Sequence, residues 1–229
     1  MSDPTQPQAD LPVVFLLDCD NTLLDNDGMK AAMDVGLVDA LGIGGAREFW
    51  QTYERVRAEF GVVDLPLTFD WFTHGKEDTA LGQRVTAIIM DFPFAEYVFP
   101  GAQRALAHLH TLGTPVIVSD GDTTFQPRKL AESGLARAVG WQAIVYVHKE
   151  TQLDEIMRRW PARYYVMVDD KPRILTATKL AYPDRFVTVQ IRQGHYAAQE
   201  VTTPPDISLG GIGELVDLSL ADFERHLRR

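Results

Sequence analysis

Residues 13–24 read VVFLLDCDNTLL, and this stretch decides the fold. It opens with the apolar run VVFLL, which is rich in β-branched and aromatic side chains and too short for a typical helix. Such a run is typical of a strand that is buried on both faces of a parallel sheet. Asp18 and Asp20 follow at once, and carboxylates beside a buried strand are costly without a counter-charge or a function. Because ligands of open α/β sheets bind at the carboxyl ends of the strands, the stretch predicts a binding edge there.

The same order of an apolar run followed by polar residues occurs three more times along the chain. The runs and the polar residues that follow them are VIV (116–118) before Ser119, Asp120 and Gly121, AIVYV (143–147) before His148 and Lys149, and YYVMV (164–168) before Asp169 and Asp170. If these strands are parallel, as helix-length segments between them indicate, all the polar groups reach one edge of one sheet.

Between the first strand and residue 97 the apolar residues follow helical spacing. Three helices are indicated by these sets: Met29, Met33, Leu37 and Leu41 before Gly42; Phe49, Tyr53, Val56 and Phe60 before Gly61; and Leu81, Val85, Ile88 and Phe92. From residue 100 helices and strands alternate, with a fifth strand at 186–191. We predict an α/β fold, a Rossmann-like parallel sheet core (13–27 and 98–229) with an inserted helical domain (28–97) after a flexible tail (1–12). At the C-terminus we expect a loop at 210–213 and a helix over 215–227.

The overall composition limits the kinds of partner. The chain has 229 residues, 45% of them hydrophobic, and a formal net charge of −10, which is ordinary for a globular protein and unsuited to nucleic acid or an anionic membrane. Cys19 is the only cysteine, so no internal disulfide can form. No signal peptide or transmembrane stretch is indicated. We expect a cytoplasmic protein, a monomer or homodimer, that acts on a small molecule.

The polar residues at the predicted edge suit phosphoryl transfer. Several carboxylates cannot all remain ionised together without a cation, and Mg²⁺ with oxygen ligands is the usual solution. Lys149 adds a fixed positive charge and Ser119 a hydroxyl donor, while backbone amides around Asp120 and Gly121 could hold an anion. A carboxylate nucleophile, a metal ion, a lysine and hydrogen-bond donors together describe a reaction through an aspartyl-phosphate.

The order of these motifs resembles the haloacid dehalogenase-like (HAD) hydrolases. The motifs are DxDNT at 18–22, SDG at 119–121, Lys149 and the DD pair at 169–170, with the spacing PGAxxALxxLxxxG at 100–113 also typical of that family. The resemblance covers residues 13–24 and 100–191, and the helical block lies where that family inserts its C1 cap.

The resemblance implies a role for each acid. Asp18 would be the nucleophile and Asp20 the general acid and base, and both would also be metal ligands, Asp20 through its backbone carbonyl. Asp170 and Asp169 would complete the Mg²⁺ site, and which of the two contacts the ion stays open.

The resemblance also implies a phosphate-binding set. Ser119 would hold the transferred phosphoryl group, with Asp120 and Gly121 beside it. Lys149 would balance the charge between that group and the nucleophile.

Asp20 separates the branches of this family. The dehalogenase branch lacks an acid two residues after the nucleophile, so its presence here favours a phosphatase. We expect a Mg²⁺-dependent phosphohydrolase that cleaves a small phosphomonoester, a small phosphorylated metabolite. The alternatives are a phosphomutase or phosphotransferase with the same first step, and a non-catalytic HAD-like binding or regulatory domain.

Other polar and aromatic residues have structural interpretations. Lys129 and Lys171 are rivals of Lys149, and Lys129 is interpreted as a solvated helix residue. Cys19 is expected in the core, and His148 and His195 in structural or surface positions. The remaining set comprises aromatic residues expected in the core and cations expected in solvent unless one faces the site: Phe49, Trp50, Tyr53, Trp71, Phe72, Arg47, Arg55, Arg57, His74 and Lys76.

Overall fold

The computed structural model describes residues 12–61, 64–75, 79–199 and 203–227. Within these ranges one sheet has the strand order β3-β2-β1-β4-β5-β6, and every pair of neighbours is parallel. The strands are β1 (Val14–Leu17), β2 (Thr114–Asp120), β3 (Ala143–Tyr146), β4 (Tyr165–Asp169), β5 (Phe186–Ile191) and β6 (Ile207–Leu209). The predicted α/β fold with a Rossmann-like parallel sheet is therefore confirmed.

The central strand β1 is buried on both faces, as its apolar run predicts. Phe15 and Leu17 face one hydrophobic core, and Val14 and Leu16 face the other. In the register of the sheet Leu17 lies beside Ile117 of β2 and Val168 of β4. The residues that follow these strands therefore emerge side by side at the carboxyl edge.

Several helices lie between β1 and β2 in the chain. They include α1 (Asn26–Phe60), α2 (Leu65–Thr73), α3 (Thr79–Met90) and a 3-10 helix at Phe94–Tyr97. Gly42 interrupts α1 with φ 71° and ψ 167°, at the position where the sequence predicts the end of the first helix. The sequence does not indicate α2, whose first turn is capped by the Asp64 side chain, which accepts a hydrogen bond from Leu67 N at 2.8 Å.

The remaining helices connect the strands. They are α4 (Ala102–Leu112), α5 (Phe125–Glu132), α6 (Leu135–Ala138), α7 (Leu153–Arg159), α8 (Pro172–Ala181) and α9 (Leu220–Glu224). The predicted single helix over 215–227 is wrong: a 3-10 helix at Ile212–Asp217, which also begins inside the predicted loop, is followed by α9. The two are separate because Ser219 and Asp222 form a capping box that begins a new helix. Phe223 of α9 packs against Phe15 of β1, with ring centroids 5.4 Å apart.

Two expectations from the sequence fall wholly or partly on residues outside the described ranges: the flexible tail at 1–12, of which 1–11 are not described, and the solvated side chain of Lys76. Among the described helices, none combines the length and the apolar character that crossing a membrane would require.

Candidate active site

Three buried carboxylates meet where β1 and β4 end. One oxygen each of Asp18, Asp169 and Asp170 lies within 4.8 Å of the others. The parallel pairing of β1 with β4 explains the contact, because Asp18 and Asp169 each come directly after a residue of the matched pair Leu17 and Val168. Acids that are about 150 residues apart in sequence thus share one buried position, as the motif order predicts.

Lys149 is the counter-charge of this cluster. Its Nζ atom forms an ion pair with Oδ1 of Asp18, lies 2.7 Å from Oδ2 of Asp169 and donates to the carbonyl oxygen of Val118 at 3.1 Å. The side chain is fully buried. Burial alone would lower the pKa of Lys149, but the charges of Asp169 and Asp18 outweigh it and raise that pKa above its ordinary value. Lys149 is therefore a fixed cation.

The three acids respond differently to the same surroundings. Burial would raise the pKa of Asp18, but the charges of Lys149 and Lys171 outweigh it and lower that pKa. For Asp169 and Asp170 burial and the charge of Asp18 raise the pKa, in Asp170 to about 9. Asp18 is thus held as a carboxylate. The cations near Asp170, in contrast, do not offset its burial and the neighbouring negative charges.

The cluster has the properties of a site for a hard divalent cation. Both side-chain oxygens of Asp170 are buried, and neither has a hydrogen-bond partner among the described residues. Asp169, in contrast, accepts a hydrogen bond from the backbone N–H of Lys171 at 2.8 Å and pairs with Lys149. Mg²⁺ binds to oxygen ligands, and it prefers sites where carboxylates carry negative charge that the protein's own cations do not balance. The residues present therefore fit the ion.

Asp20 lies outside this cluster, and its side chain contacts helix α5 instead. Its Oδ1 atom forms an ion pair with Lys129 of α5, and its Oδ2 atom accepts a hydrogen bond from Gln126 at 3.3 Å. The prediction that Lys129 is solvated is wrong, because only 2% of its side chain is exposed. Helix α5 packs across the strand ends and turns this side chain inward, where the Asp20 charge outweighs burial and raises the pKa of Lys129.

The sequence did carry a signal for these partners. Gln126 and Lys129 are three residues apart on a helix, so both point toward the same neighbour. Gln126 also donates to the Ser119 hydroxyl at 2.8 Å, and it thereby links Asp20 to the end of β2. The pattern indicates a shared face, but it does not reveal that this face meets Asp20.

The predicted phosphate-binding residues Ser119, Asp120 and Gly121, at the end of β2 and just after it, are largely committed to other contacts. Ser119 is fully buried, and Asp120 accepts a hydrogen bond from the backbone N–H of Lys149 at 2.9 Å. The Gly121 N–H, one of the backbone groups in the region expected to hold an anion, donates to the carbonyl oxygen of Tyr146 at 3.0 Å. The parallel pairing of β2 with β3 extends to this residue and uses its donor.

The amides at the start of α5 are also occupied. The Asp122 side chain accepts hydrogen bonds from the backbone N–H groups of Thr124, at 2.9 Å, and of Phe125. These two amides therefore do not offer their N–H groups to an anion.

A cavity of about 290 Å³ lies between this edge of the sheet and α1. Asp20, Asp120, Gly121 and Lys171 line it on the sheet side, and the Lys171 Nζ atom is 3.9 Å from Oδ2 of Asp18. The residues that line it from α1 and α2 are Asn26, Met29, Lys30, Met33, Trp50, Tyr53, Arg57 and Leu65. The buried acids thus lie next to a space large enough for a small ligand.

The outcome for the other interpreted residues is mixed. Cys19, Phe49 and Phe72 are buried in the core as expected. Trp50 and Tyr53, which are also expected in the core, line the cavity as well, as does Arg57 among the predicted solvated cations.

The two interpreted histidines both border the cavity. His195 contacts Asp27 near the start of α1, with 2.9 Å between the His195 Nδ1 atom and Oδ1 of Asp27.

Comparison with solved structures places the chain in a family. A Burkholderia xenovorans LB400 protein, described as a haloacid dehalogenase-like hydrolase, is 42% identical and has a TM-score of 0.85, with 93% of this chain and 98% of that chain covered. The L-2-haloacid dehalogenase of Xanthobacter autotrophicus with chloropropionic acid covalently bound has a TM-score of 0.58 at 17% identity, covering 90% of this chain and 97% of that chain. The magnesium-bound HAD-hydrolase YfnB of Bacillus subtilis has a TM-score of 0.60 at 15% identity, covering 91% and 100%. No protein-family model and no curated protein sequence matches.

The sheet order, the acids at its carboxyl edge and these similarities define a hydrolase with a Rossmann-like core. The chain belongs to the haloacid dehalogenase-like hydrolases.

Proposed function

We propose that this hydrolase is a Mg²⁺-dependent phosphatase that cleaves a small phosphomonoester through an aspartyl-phosphate on Asp18. The observation that carries the proposal is Asp20, a second carboxylate two residues after Asp18 that lines the cavity. An alkoxide leaves phosphorus only when an acid protonates it, whereas a halide leaves carbon without a proton. A cavity-facing acid beside the nucleophile therefore favours phosphate esters over haloacids as substrates.

Asp18 is suited to the attack on phosphorus. Its Oδ1 atom is engaged by Lys149, and its Oδ2 atom has no hydrogen-bond partner in the described part of the chain. In the first step Asp20 must carry a proton; Oδ2 of Asp18 forms the bond to phosphorus while the ester oxygen leaves and takes that proton, so Asp20 becomes a carboxylate. In the second step Asp20 takes a proton from water, the water oxygen bonds to phosphorus, and Asp18 is released as a carboxylate together with inorganic phosphate.

Two lysines near Asp18 can balance the negative charge of the phosphoryl group. Lys149 holds the nucleophile in place, and Lys171, which lines the cavity 3.9 Å from Oδ2 of Asp18, can pair with phosphoryl oxygens. Ser119 would act through Gln126, which contacts it and lines the cavity. These side chains supply the anion contacts that the occupied amide of Gly121 does not.

Mg²⁺ would be held by Asp18, by Asp170 and by the backbone carbonyl of Asp20, with Asp169 as the supporting residue. The two buried, unpartnered oxygens of Asp170 favour it over Asp169 as the direct ligand. The ion would supply positive charge to the transferred phosphoryl group. The structurally similar YfnB was solved with magnesium bound.

The helical segment between β1 and β2 would serve as a cap, of the type that the family inserts after its first strand. Its α1 side chains form the far wall of the cavity, so they face whatever group is esterified to the phosphate. A cavity volume of about 290 Å³ suits a small metabolite as that group.

The test is the release of inorganic phosphate from a phosphoester library and from an aryl phosphate, with Mg²⁺ or with a chelator. Mg²⁺-dependent release supports the proposal. Transfer of the phosphoryl group to a second hydroxyl in preference to water would indicate a phosphotransferase. Release of halide from haloacids without phosphate release would overturn the proposal.

A further inference from the structure

Lys30 of α1 stands out among the cations that line the cavity because no described residue is its acidic partner. In the described part of the chain, each of the others lies within ion-pair distance of a carboxylate: Arg57 with Glu54, Lys129 with Asp20, Lys171 with Asp18 and Arg173 with Glu150. The Lys30 ammonium has no such contact with a described residue and is placed instead over the rings of Tyr53, at 4.5 Å, and Trp50, at 6.0 Å.

The rings hold this ammonium at a defined place. Tyr53 is buried and packs edge-on against Trp50, with ring centroids 5.4 Å apart. The indole N–H of Trp50 donates to Asp34 at 2.7 Å, which fixes the orientation of that ring. A cation over aromatic faces is partly stabilised, and it keeps its hydrogen-bond donors free for an anion.

The surroundings leave the charge of Lys30 undercompensated. Lys30 is half-buried, and burial lowers its pKa below the ordinary value despite the field of Glu54. A partly desolvated ammonium in a cavity wall gains most from an anion that enters with the ligand.

We propose that Lys30 binds a carboxylate of the substrate, so that the substrates are phosphate monoesters of small hydroxycarboxylic acids. This inference rests on the proposed phosphatase function and adds the chemical class of the alcohol. A single unpaired cation matches a monoanion, and the apolar side chains of Met29 and Met33 line the same cavity beside it. The substrate would span the cavity with its phosphate toward Lys171 and its carboxylate toward Lys30.

The test measures binding, so it does not depend on turnover. Calorimetry in the presence of Mg²⁺ compares carboxyethylphosphonate with propylphosphonate, which resemble each other in length and differ in the carboxylate. The proteins are the wild type, Lys30→Met, Lys30→Arg and, as a control, Arg47→Met, which removes an exposed cation of the same helix outside the cavity.

The wild type should bind the carboxylated ligand about tenfold to a hundredfold more tightly, since a hydrogen bond to a charged group has this strength. The preference should fall to near one in Lys30→Met, remain in large part in Lys30→Arg and stay unchanged in Arg47→Met. Lys30→Gln takes the place of Lys30→Met if thermal unfolding shows that the latter does not fold.

The inference is overturned if the wild type shows no preference, binds neither phosphonate, or keeps its preference in Lys30→Met. Hydrolysis of p-nitrophenyl phosphate separates the two proposals. A wild type that hydrolyses this ester without preferring the carboxylated ligand overturns the inference alone. A wild type that hydrolyses no phosphoester but keeps a Lys30-dependent preference overturns the phosphatase function, and with it the assignment of phosphate esters as substrates, while the carboxylate contact of Lys30 stands.

Discussion

The Nζ atom of Lys129 forms an ion pair with Oδ1 of Asp20, although 109 residues separate the two in the sequence. The pair joins helix α5 to the loop after β1 at the wall of the cavity. Gln126, one turn earlier on α5, contacts the other oxygen of Asp20 at 3.3 Å. The orientation of the proposed general acid is therefore set by a helix that follows the second strand.

Substitution of Lys129 by Met should slow phosphoester hydrolysis about tenfold to a hundredfold. This loss is smaller than the full rate contribution of a general acid, because Asp20 would remain but would be less well positioned. The loss should be larger for an alkyl phosphate than for p-nitrophenyl phosphate, because the alkoxide needs its proton more. Steady-state kinetics with both esters measures this difference. Arg128→Met, which removes the neighbouring exposed cation paired with Asp91 and Glu132, is the control. An equal loss for both esters would contradict a role through Asp20.

Substitution of Asp18 by Asn should reduce hydrolysis at least about 1,000-fold, as removal of a covalent nucleophile does in other hydrolases. The amide has nearly the same shape but does not attack phosphorus. Phosphate release measures the activity, and circular dichroism with thermal unfolding checks the fold. Retained activity in the folded variant would exclude the aspartyl-phosphate mechanism.

Lys149→Met should lower the free energy of unfolding by about 3–5 kcal/mol in a chelator, the usual cost of removing one partner of a buried ion pair. The reason is that Asp18 and Asp169 would remain buried without their counter-charge. Denaturant unfolding measures the loss. Lys179→Met, which removes a lysine of α8 whose ion pair with Asp206 is partly exposed, should cost less. Equal losses would show that the acid cluster does not depend on Lys149.

Mg²⁺ binding should tighten as pH rises toward 9. In the metal-free protein burial and the charges of Asp18 and Asp169 raise the pKa of Asp170 to about 9, so near pH 7 this side chain carries a proton that the ion must displace. Calorimetry in buffers of different ionisation enthalpy should detect about one proton released per Mg²⁺ near neutral pH.

The raised pKa of Asp170 also makes the stability of the metal-free protein depend on pH. A carboxyl group whose folded-state pKa is raised stabilises the fold below its unfolded pKa, and this contribution is lost as pH rises through about 9. In a chelator the free energy of unfolding of Asp170→Asn should therefore depend less on pH than that of the wild type, between the ordinary carboxyl pKa of 3.8 and about 9. The variant should also bind Mg²⁺ more weakly. An unchanged affinity in Asp170→Asn would place the ion elsewhere.

Much of the fold follows from local patterns. The buried strands were predictable because runs such as VVFLL leave no polar face for solvent, and helix-length connections between them require parallel pairing. The short strand β6 and helix α2 were not predictable, because Ile207–Leu209 is too short for a pattern and α2 lies in a segment without clear periodicity. These elements depend on pairing with β5 and on packing against α1.

The sequence by itself determined that Asp18, Lys149, Asp169 and Asp170 would meet, because each lies at the end of a strand or within a few residues after it, and parallel strands end at a common edge. Only the tertiary structure decided the partners of helical side chains, namely that Lys129 turns inward to Asp20 and that Lys30 faces the cavity without an acidic partner in the described part of the chain. The physical reason is that the carboxyl ends of the strands in a parallel sheet lie side by side at one edge, so the residues there are neighbours. The neighbourhood of a helical side chain depends on how the helix is rotated and packed, and that is determined by contacts distant in the sequence.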